Sequence, residues 1–330
     1  METLTPPGRP GAALIALDWG TSSLRGYLMD AKGDVLDQRA SAHGIQNLPV
    51  PGPEGFEQAF AGICGDWLAL HGKLPIVAGG MVGSAQGWAE APYVGCPADT
   101  ATLADKAIVV DSRLGVRVLI APGVLFDPPD ANPDVIRGEE IQIAGALADH
   151  PWLAERACVA LPGTHSKWVQ IQDGRITRFA TYMTGELFAV LCRNSILGRL
   201  MPEAPAADAA EADQAFVAGV RLAREGLPGD LSHQIFAART LGLTKRLPPD
   251  VLKDYLSGLL IGGELVSGLA HMRDSIAADT PLLLIGDGAL CRRYVRALET
   301  IGTVPAAQLE NTAPRGLFQF AQKAGVLSHD

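Results

Sequence analysis

Ala12-Ala13-Leu14-Ile15-Ala16-Leu17-Asp18-Trp19-Gly20-Thr21-Ser22-Ser23 runs from an uninterrupted apolar segment straight into a polar turn. Residues 12–17 read as a strand buried on both faces, because no polar residue alternates with the apolar ones. Asp18 closes that strand, and the Gly-Thr-Ser-Ser run turns the chain. Residues 24–29 then read as a second strand, Lys32-Gly33 as a hairpin turn and 35–40 as a third strand.

The same phrase returns further along the chain. Residues 157–161 read as a buried strand, and Pro162-Gly163-Thr164-His165-Ser166 as its turn. A strand over 167–172, a hairpin turn at Asp173-Gly174 and a strand over 176–182 complete the unit. The two Gly-Thr pairs lie 143 positions apart and the two hairpin glycines 141 apart, so the spacing is held across the whole unit. Helical apolar spacing follows each copy, over 57–70 and 185–200. Together these predict duplication of one α/β half, with domains at 12–150 and 151–330. The second half is richer in helix, over 209–224, 231–241 and 250–273. A strand at 281–285, a glycine turn and a helix at 290–300 resume the α/β pattern. The alanine-rich, acidic stretch 202–213 reads as a solvated loop running into a helix.

Composition narrows the function classes. Hydrophobic residues make up 48% of the 330 and charged residues only 19%, which fits a packed globular chain and excludes a disordered one. The net charge of −9, with no lysine or arginine cluster, argues against nucleic acid as a partner. Cys64, Cys96, Cys158, Cys192 and Cys291 are odd in number and dispersed, so neither a disulfide framework nor a zinc site is expected. A reducing cytoplasm is the simple reading. Residues 1–11 are polar and proline-rich without an apolar signal core. The longest apolar stretches, such as 256–270, are broken by glycine and Glu264, so no membrane span is expected. Nothing in the sequence sets the oligomeric state; a homodimer is a guess.

Three glycine turns could hold phosphate. At Asp18-Trp19-Gly20-Thr21-Ser22, backbone N–H groups and two hydroxyls are available to a phosphate, and the acid could hold Mg²⁺ directly or through water. An ordinary polar β-turn would look the same locally. Arg25 lies one strand on and could neutralise a transferred phosphoryl group or a substrate carboxylate. The second turn repeats the glycine, threonine and serine, but Leu161 stands where the acid would be. The third, Gly286-Asp287-Gly288-Ala289, follows a strand; it fails as a dinucleotide fingerprint because Cys291 occupies the third glycine position. No P-loop phrase is present. Two phosphate hairpins with one metal acid resemble the actin/hexokinase (actin-like ATPase) superfold. That resemblance implies two similar ribonuclease-H-like α/β domains with ATP in the cleft between them. Gly20, Thr21, Ser22, Gly163, Thr164, His165, Ser166 and Lys167 would then hold the phosphates, and Gly286 and Gly288 the adenosine.

Arg137-Gly138-Glu139-Glu140-Ile141-Gln142 opens a helix with two adjacent acids. Acids in a first helical turn can be dipole partners only. They can also act as a general base on a hydroxyl that attacks the γ-phosphorus. Sugar kinases of this superfold carry their catalytic acid at this point, usually as Asp; here Glu140 aligns best and Glu139 nearly as well. The glycine-rich segment 79–93 reads as the wall of a sugar pocket, with Met81, Gly83, Ser84, Trp88, Glu90 and Tyr93 as contacts. For a substrate carboxylate, Arg25, Arg137 and backbone groups near Gly83-Ser84 all remain open.

Taken together, these phrases resemble the 2-dehydro-3-deoxygalactonokinase family. The similarity rests on 18–25, 80–93, 137–142, Pro162-Gly163-Thr164-His165-Ser166-Lys167-Trp168, Met183-Thr184-Gly185-Glu186-Leu187-Phe188 and 255–264, which extend over most of the chain. The resemblance implies transfer of phosphate from ATP, with Mg²⁺, to the 6-hydroxyl of 2-dehydro-3-deoxy-D-galactonate in galactose or galactonate breakdown. A kinase for another sugar acid, such as the gluconate epimer, and an exopolyphosphatase-type hydrolase of the same superfold are the rival readings. A non-enzymatic filament or sugar-sensing regulator is a third.

Overall fold

The computed structural model describes residues 11–327 apart from 205, 207, 228 and 274–278. By their contacts these residues form two compact units. The first comprises the chain up to Glu155, residues 172–178 and everything from Asn311 onward; the second comprises Arg156–Ile171 and Phe179–Glu310.

The first unit opens with β1 (Ala12–Trp19), β2 (Leu24–Asp30) and β3 (Val35–Ser41), then α1 (Pro53–His71) and β4 (Ile76–Gly79). β5 (Tyr93–Gly95), α2 (Thr100–Asp105), β6 (Ile108–Asp111), β7 (Arg117–Ile120), β8 (Gly123–Phe126), β9 (Asp134–Ile136) and α3 (Glu139–Asp149) follow. The main sheet has the order β3-β2-β1-β4-β7-β6, and β5-β8-β9 form a small second sheet. β1 is antiparallel to β2 and parallel to β4, which makes it a central strand. That position explains its unbroken apolar run: Leu14, Ile15, Ala16 and Leu17 are all fully buried. α1 starts with Pro53 in its first turn, where the ring's fixed φ suits a helix, and stops at Gly72. Phe56, Phe60, Ile63 and Trp67 line its buried face and share one core with Ile15, Leu17 and Leu24. Burial of each such side chain stabilises the fold by about 1.5–3 kcal/mol.

The second half of the chain repeats the plan. β10 (Arg156–Leu161), β11 (Ser166–Gln172) and β12 (Arg175–Tyr182) lead into α4 (Thr184–Asn194), α5 (Ala209–Glu225), α6 (Leu231–Gln234), α7 (Ala237–Leu243) and α8 (Leu252–Arg273). β13 (Leu282–Ile285), α9 (Gly288–Ile301) and β14 (Ala307–Leu309) close it. The sheet order β12-β11-β10-β13-β14 matches β3-β2-β1-β4-β7 strand for strand. β10, β13 and β14 run parallel, as β1, β4 and β7 do. The repeat read from two glycine turns is therefore a repeat of whole sheets.

Two expectations need adjustment, for 231–241 and for the second domain, whereas 202–213 runs into a helix as expected. The helix expected over 231–241 is two short helices, because the bonding tightens to i→i−3 at Phe236 and Arg239. The stretch 202–213 leads into α5, which Asp208 caps by accepting the Ala210 N–H at 2.7 Å; residues 205 and 207 lie outside the described residues. The expected second domain, 151–330, ends at Glu310, because the last helix, α10 (Ala313–Lys323), belongs to the first unit. There α10 lies against α3 through two glycines. A Cβ on Gly316 would sit 1.8 Å from the Ile141 carbonyl oxygen, and one on Gly145 would sit 1.9 Å from that of Thr312. Among the described residues, no helix is long and apolar enough to cross a membrane.

Candidate active site

In the first unit the register of β1 on β2 sets Asp18 opposite Arg25. Arg25 Nη1 donates to Asp18 Oδ2 at 3.1 Å. Burial pushes the Asp18 carboxyl upward and the guanidinium pulls it back; burial is the larger effect, so its pKa is raised. The turn beyond is braced from behind. Gly20 N–H donates to the Ser23 carbonyl at 2.9 Å, while Ile45 and Gln46 N–H donate to the Gly20 and Thr21 carbonyls, each at 3.1 Å. Thr21 and Ser22 remain exposed.

α3 begins beside the ends of β1 and β4. Gly80 has φ 96° and Gly138 has φ 109°, both left-handed. A Cβ on Gly80 would lie 2.8 Å from the Trp19 carbonyl oxygen, and one on Gly138 3.3 Å from Gly80 Cα. This backbone-on-backbone packing carries Asp18 and the two glutamates into one corner of the unit. No side chain at Gly138 caps α3. The acids cap it instead: Glu139 Oε2 accepts the Arg137 N–H at 3.0 Å, and both Glu140 oxygens accept the Gly138 N–H, at 2.8 and 2.7 Å. The two acids differ in burial. Glu139 is half-buried, whereas Glu140 is 1% exposed and its pKa is pushed up to about 8 by burial first and then by the neighbouring Glu139 charge.

The segment after β4 makes a 3₁₀ turn at Met81–Gly83. Arg137 reaches into it: Nη2 donates to the Ala91 carbonyl at 2.8 Å, and the guanidinium carbon sits 4.3 Å from the Tyr93 ring centroid. Ser84 Oγ, Arg137 Nε and Arg137 Nη1 are buried without a hydrogen-bond partner among the described residues. Glu90 and Tyr93 are exposed. Trp88 is a core residue as much as a wall residue. It stacks on Phe56 at 6.2 Å and meets Trp19 and Phe60 at 5.7 and 5.4 Å, while its free side lines a 450 Å³ cavity with Gln46 and Gln86.

In the second unit Thr164 and His165 are exposed on the turn after β10, and His165 Nε2 pairs with the Glu186 carboxylate. The first turn of α4 lies on that loop, with Glu186 N–H donating to the Thr164 carbonyl at 3.0 Å. Ser166 turns inward instead of outward. It is fully buried, accepts the Gly163 N–H at 3.4 Å and lies 3.0 Å from the Tyr294 hydroxyl. Lys167 is buried too; Nζ donates to Thr181 Oγ1 at 3.0 Å, and among the described residues it forms no ion pair. Gly286 and Gly288 flank Asp287, which caps α9 by accepting the Leu290 N–H at 3.0 Å.

A cavity of 550 Å³ opens beside Gly163 and Thr164, lined also by Lys253, Ser257, Asp287 and an Asp254–Arg293 pair at 3.0 Å. Sequence reading did not single out Lys253, Asp254, Ser257 or Arg293, because the first three on α8 meet Arg293 on α9 only in the folded chain. It also did not single out Glu264, a buried carboxylate on α8. Its one signal was a lone charge inside the apolar run 256–270. Among the described residues no three His, Cys, Asp or Glu side chains converge as a metal cage.

A family model described as 2-keto-3-deoxy-galactonokinase matches residues 18–320. The chain is 36% identical over 305 residues to the 2-dehydro-3-deoxygalactonokinase of Escherichia coli (strain K12), a match covering 92% of this chain and 94% of that one. It is 37% identical over 304 residues to DgoK1 of Rhizobium meliloti (strain 1021), which is named for the same activity, with 92% and 94% covered. The crystal structure of a Sinorhizobium meliloti protein carrying the 2-dehydro-3-deoxygalactonokinase name is similar with a TM-score of 0.77 at 33% identity, over 94% of this chain and 98% of that one. Together with the repeated sheet order, this makes the fold the actin-like ATPase fold expected from the sequence.

Proposed function

The chain belongs to the 2-keto-3-deoxy-galactonokinase family, and on that premise we propose that it transfers the γ-phosphoryl group of ATP to the 6-hydroxyl of 2-dehydro-3-deoxy-D-galactonate. The products are ADP and the 6-phosphate, in the breakdown of galactonate. The observation that carries the proposal is Glu140: a buried carboxylate, raised to about 8, at the start of α3 in the corner that also holds Asp18. A general base works best when its pKa lies near the working pH, and burial moves this one there. Phosphoryl transfer otherwise needs alignment and charge neutralisation more than covalent help.

Asp18 suits Mg²⁺ as a single carboxylate beside a turn bearing two hydroxyls. Magnesium is commonly held by one or two carboxylates together with substrate phosphates, so a full protein cage is not required. When bound, the ion would offset charge on the phosphates. Arg25 holds the Asp18 side chain in place. On the nucleotide side, Thr164 offers a backbone N–H, Lys167 a buried cation, and the 550 Å³ cavity a space for the nucleoside.

A coupled assay of ADP release over a panel of sugar acids and neutral sugars tests the proposal. Turnover with 2-dehydro-3-deoxygalactonate well above that with its gluconate epimer and with neutral sugars is expected. Phosphate release from polyphosphate with no sugar-acid dependence would overturn it.

A further inference from the structure

We infer that Arg137 and Ser84 form the receptor for the substrate's carboxylate, an inference that rests on the sugar-acid kinase reading above. Arg137 is only 9% exposed, and among the described residues it forms no ion pair. Its Nε and Nη1 have no acceptor. Ser84 Oγ, on the neighbouring loop, is buried and unpaired as well. Buried polar groups without partners are uncommon, and a buried unpaired guanidinium is more costly still. Here the unused donors and hydroxyl belong to one place. A Cβ on Gly83 would lie 3.0 Å from Arg137 Nη1, so the backbone leading into Ser84 runs along the free side of the guanidinium.

The neighbouring acids do not fill this role. Glu139 gives an oxygen to the Arg137 backbone N–H, and both Glu140 oxygens face the Gly138 N–H. Tyr93 covers one flat face of the guanidinium and Ala91 takes Nη2. The group is thus fixed in orientation with donors to spare on Nε and Nη1. These two face different edges of the guanidinium, so a carboxylate oxygen would take a single charge-assisted hydrogen bond from Nη1, on the side where the backbone leads into Ser84. Arg25, the other candidate cation, is half-exposed and already spent on Asp18. Arg137 extends toward the Ala91 carbonyl, while both Glu140 oxygens face the Gly138 N–H.

The test compares 2-dehydro-3-deoxygalactonate with its uncharged C1 amide in the wild type and in Arg137→Met, Arg137→Lys and Ser84→Ala. Arg137→Met also removes a charge that lowers the Glu140 pKa, so turnover should fall for both substrates, but kcat/KM should fall roughly 100-fold further for the acid than for the amide, with little change in KM for ATP. Arg137→Lys should recover only part of the loss, because it restores the charge without the fixed guanidinium. Ser84→Ala removes only a hydroxyl and is expected to fold; it should raise KM for the acid by about tenfold and leave the amide unchanged. Calorimetric titration of the acid, with a non-hydrolysable ATP analogue present, should show the same order of affinities. Equal losses for acid and amide, or unchanged affinity for the acid in Ser84→Ala and Arg137→Lys, overturn the inference while leaving the kinase reading intact. A wild type that leaves the acid unphosphorylated overturns the kinase reading, and this inference with it.

Discussion

The Tyr294 hydroxyl donates to Glu264 Oε2 at 2.6 Å in the interior of the second unit. Because that proton is committed, Ser166 is the donor in its 3.0 Å contact with Tyr294, and the Gly163 N–H donates in turn to Ser166. Trp168 Nε1 also donates to Glu264, at 3.0 Å. A chain of hydrogen bonds therefore runs from α8 through α9 to the glycine of the phosphate turn. In the proposed reaction Ser166 and Glu264 would position that turn. Replacing Glu264 with Ala strands the Tyr294 and Trp168 donors, and each stranded group costs about 1–3 kcal/mol. Glu264→Ala should lower the urea midpoint accordingly and raise KM for ATP by roughly tenfold as the turn loosens. Glu264→Gln keeps one acceptor and should be milder in both. An unchanged KM for ATP in a destabilised Glu264→Ala would leave the network structural only.

How much of this could be read from the chain depends on how local each feature is. The turn at Gly20-Thr21 and its echo at Gly163-Thr164 were legible because strand, turn and strand are each written in neighbouring residues. β5 to β9 were not, since strands of three or four residues carry too few alternations to stand out. α10 shows an apolar face in Leu317, Phe318 and Phe320, but amphipathicity does not say which unit will bury that face. Glu140 was legible as one of two acids; its burial, which distinguishes it from Glu139, came only with the packing of Gly80 on Trp19. Trp88 was read as a pocket wall by its setting among glycines, whereas Phe56 and Phe60 on α1 draw it into the core.

Asp18→Asn removes the one carboxylate at the first phosphate turn while keeping its size and a hydrogen-bond acceptor for Arg25. The protein should stay folded, with an unchanged far-ultraviolet spectrum. Turnover should fall by roughly 100-fold or more as charge stabilisation at the phosphates is lost. The Mg²⁺ concentration needed for half-maximal rate should rise. Wild-type rates at limiting Mg²⁺ would sink the assignment.

Gly316→Ala places a Cβ 1.8 Å from the Ile141 carbonyl oxygen, a backbone atom of α3 that cannot swing aside. The helices must separate, and overpacking of this kind costs about 1–3 kcal/mol or more. The urea midpoint should fall. Gly145→Ala, which meets the Thr312 carbonyl across the same contact, should fall similarly. The double variant should lose less than the sum, since the first change already opens the gap. Full additivity would mean that the helices are not held by one shared contact.

In the proposed reaction Glu140 links catalysis and stability through one proton. As a general base it must be ionised, so kcat/KM should rise with pH and level off above about 8. Stability should run the other way. From about 4.5, the ordinary value, to about 8 the folded protein keeps a proton on Glu140 that the unfolded chain has released. The folded state binds more protons over that window, so this group's contribution to stability declines as pH rises through it. Glu140→Gln cannot ionise. It should cut kcat by roughly 10²–10⁴-fold with KM for ATP nearly unchanged, and it should abolish the rising limb of the pH profile. Its urea midpoint should also lose the pH-dependent decline seen in the wild type. Glu139→Gln removes the neighbouring charge that helps raise Glu140, so it should shift the rising limb to lower pH and keep most of the turnover. Near-normal turnover in Glu140→Gln, or a rising limb that persists in that variant, would separate the base from the buried acid described here.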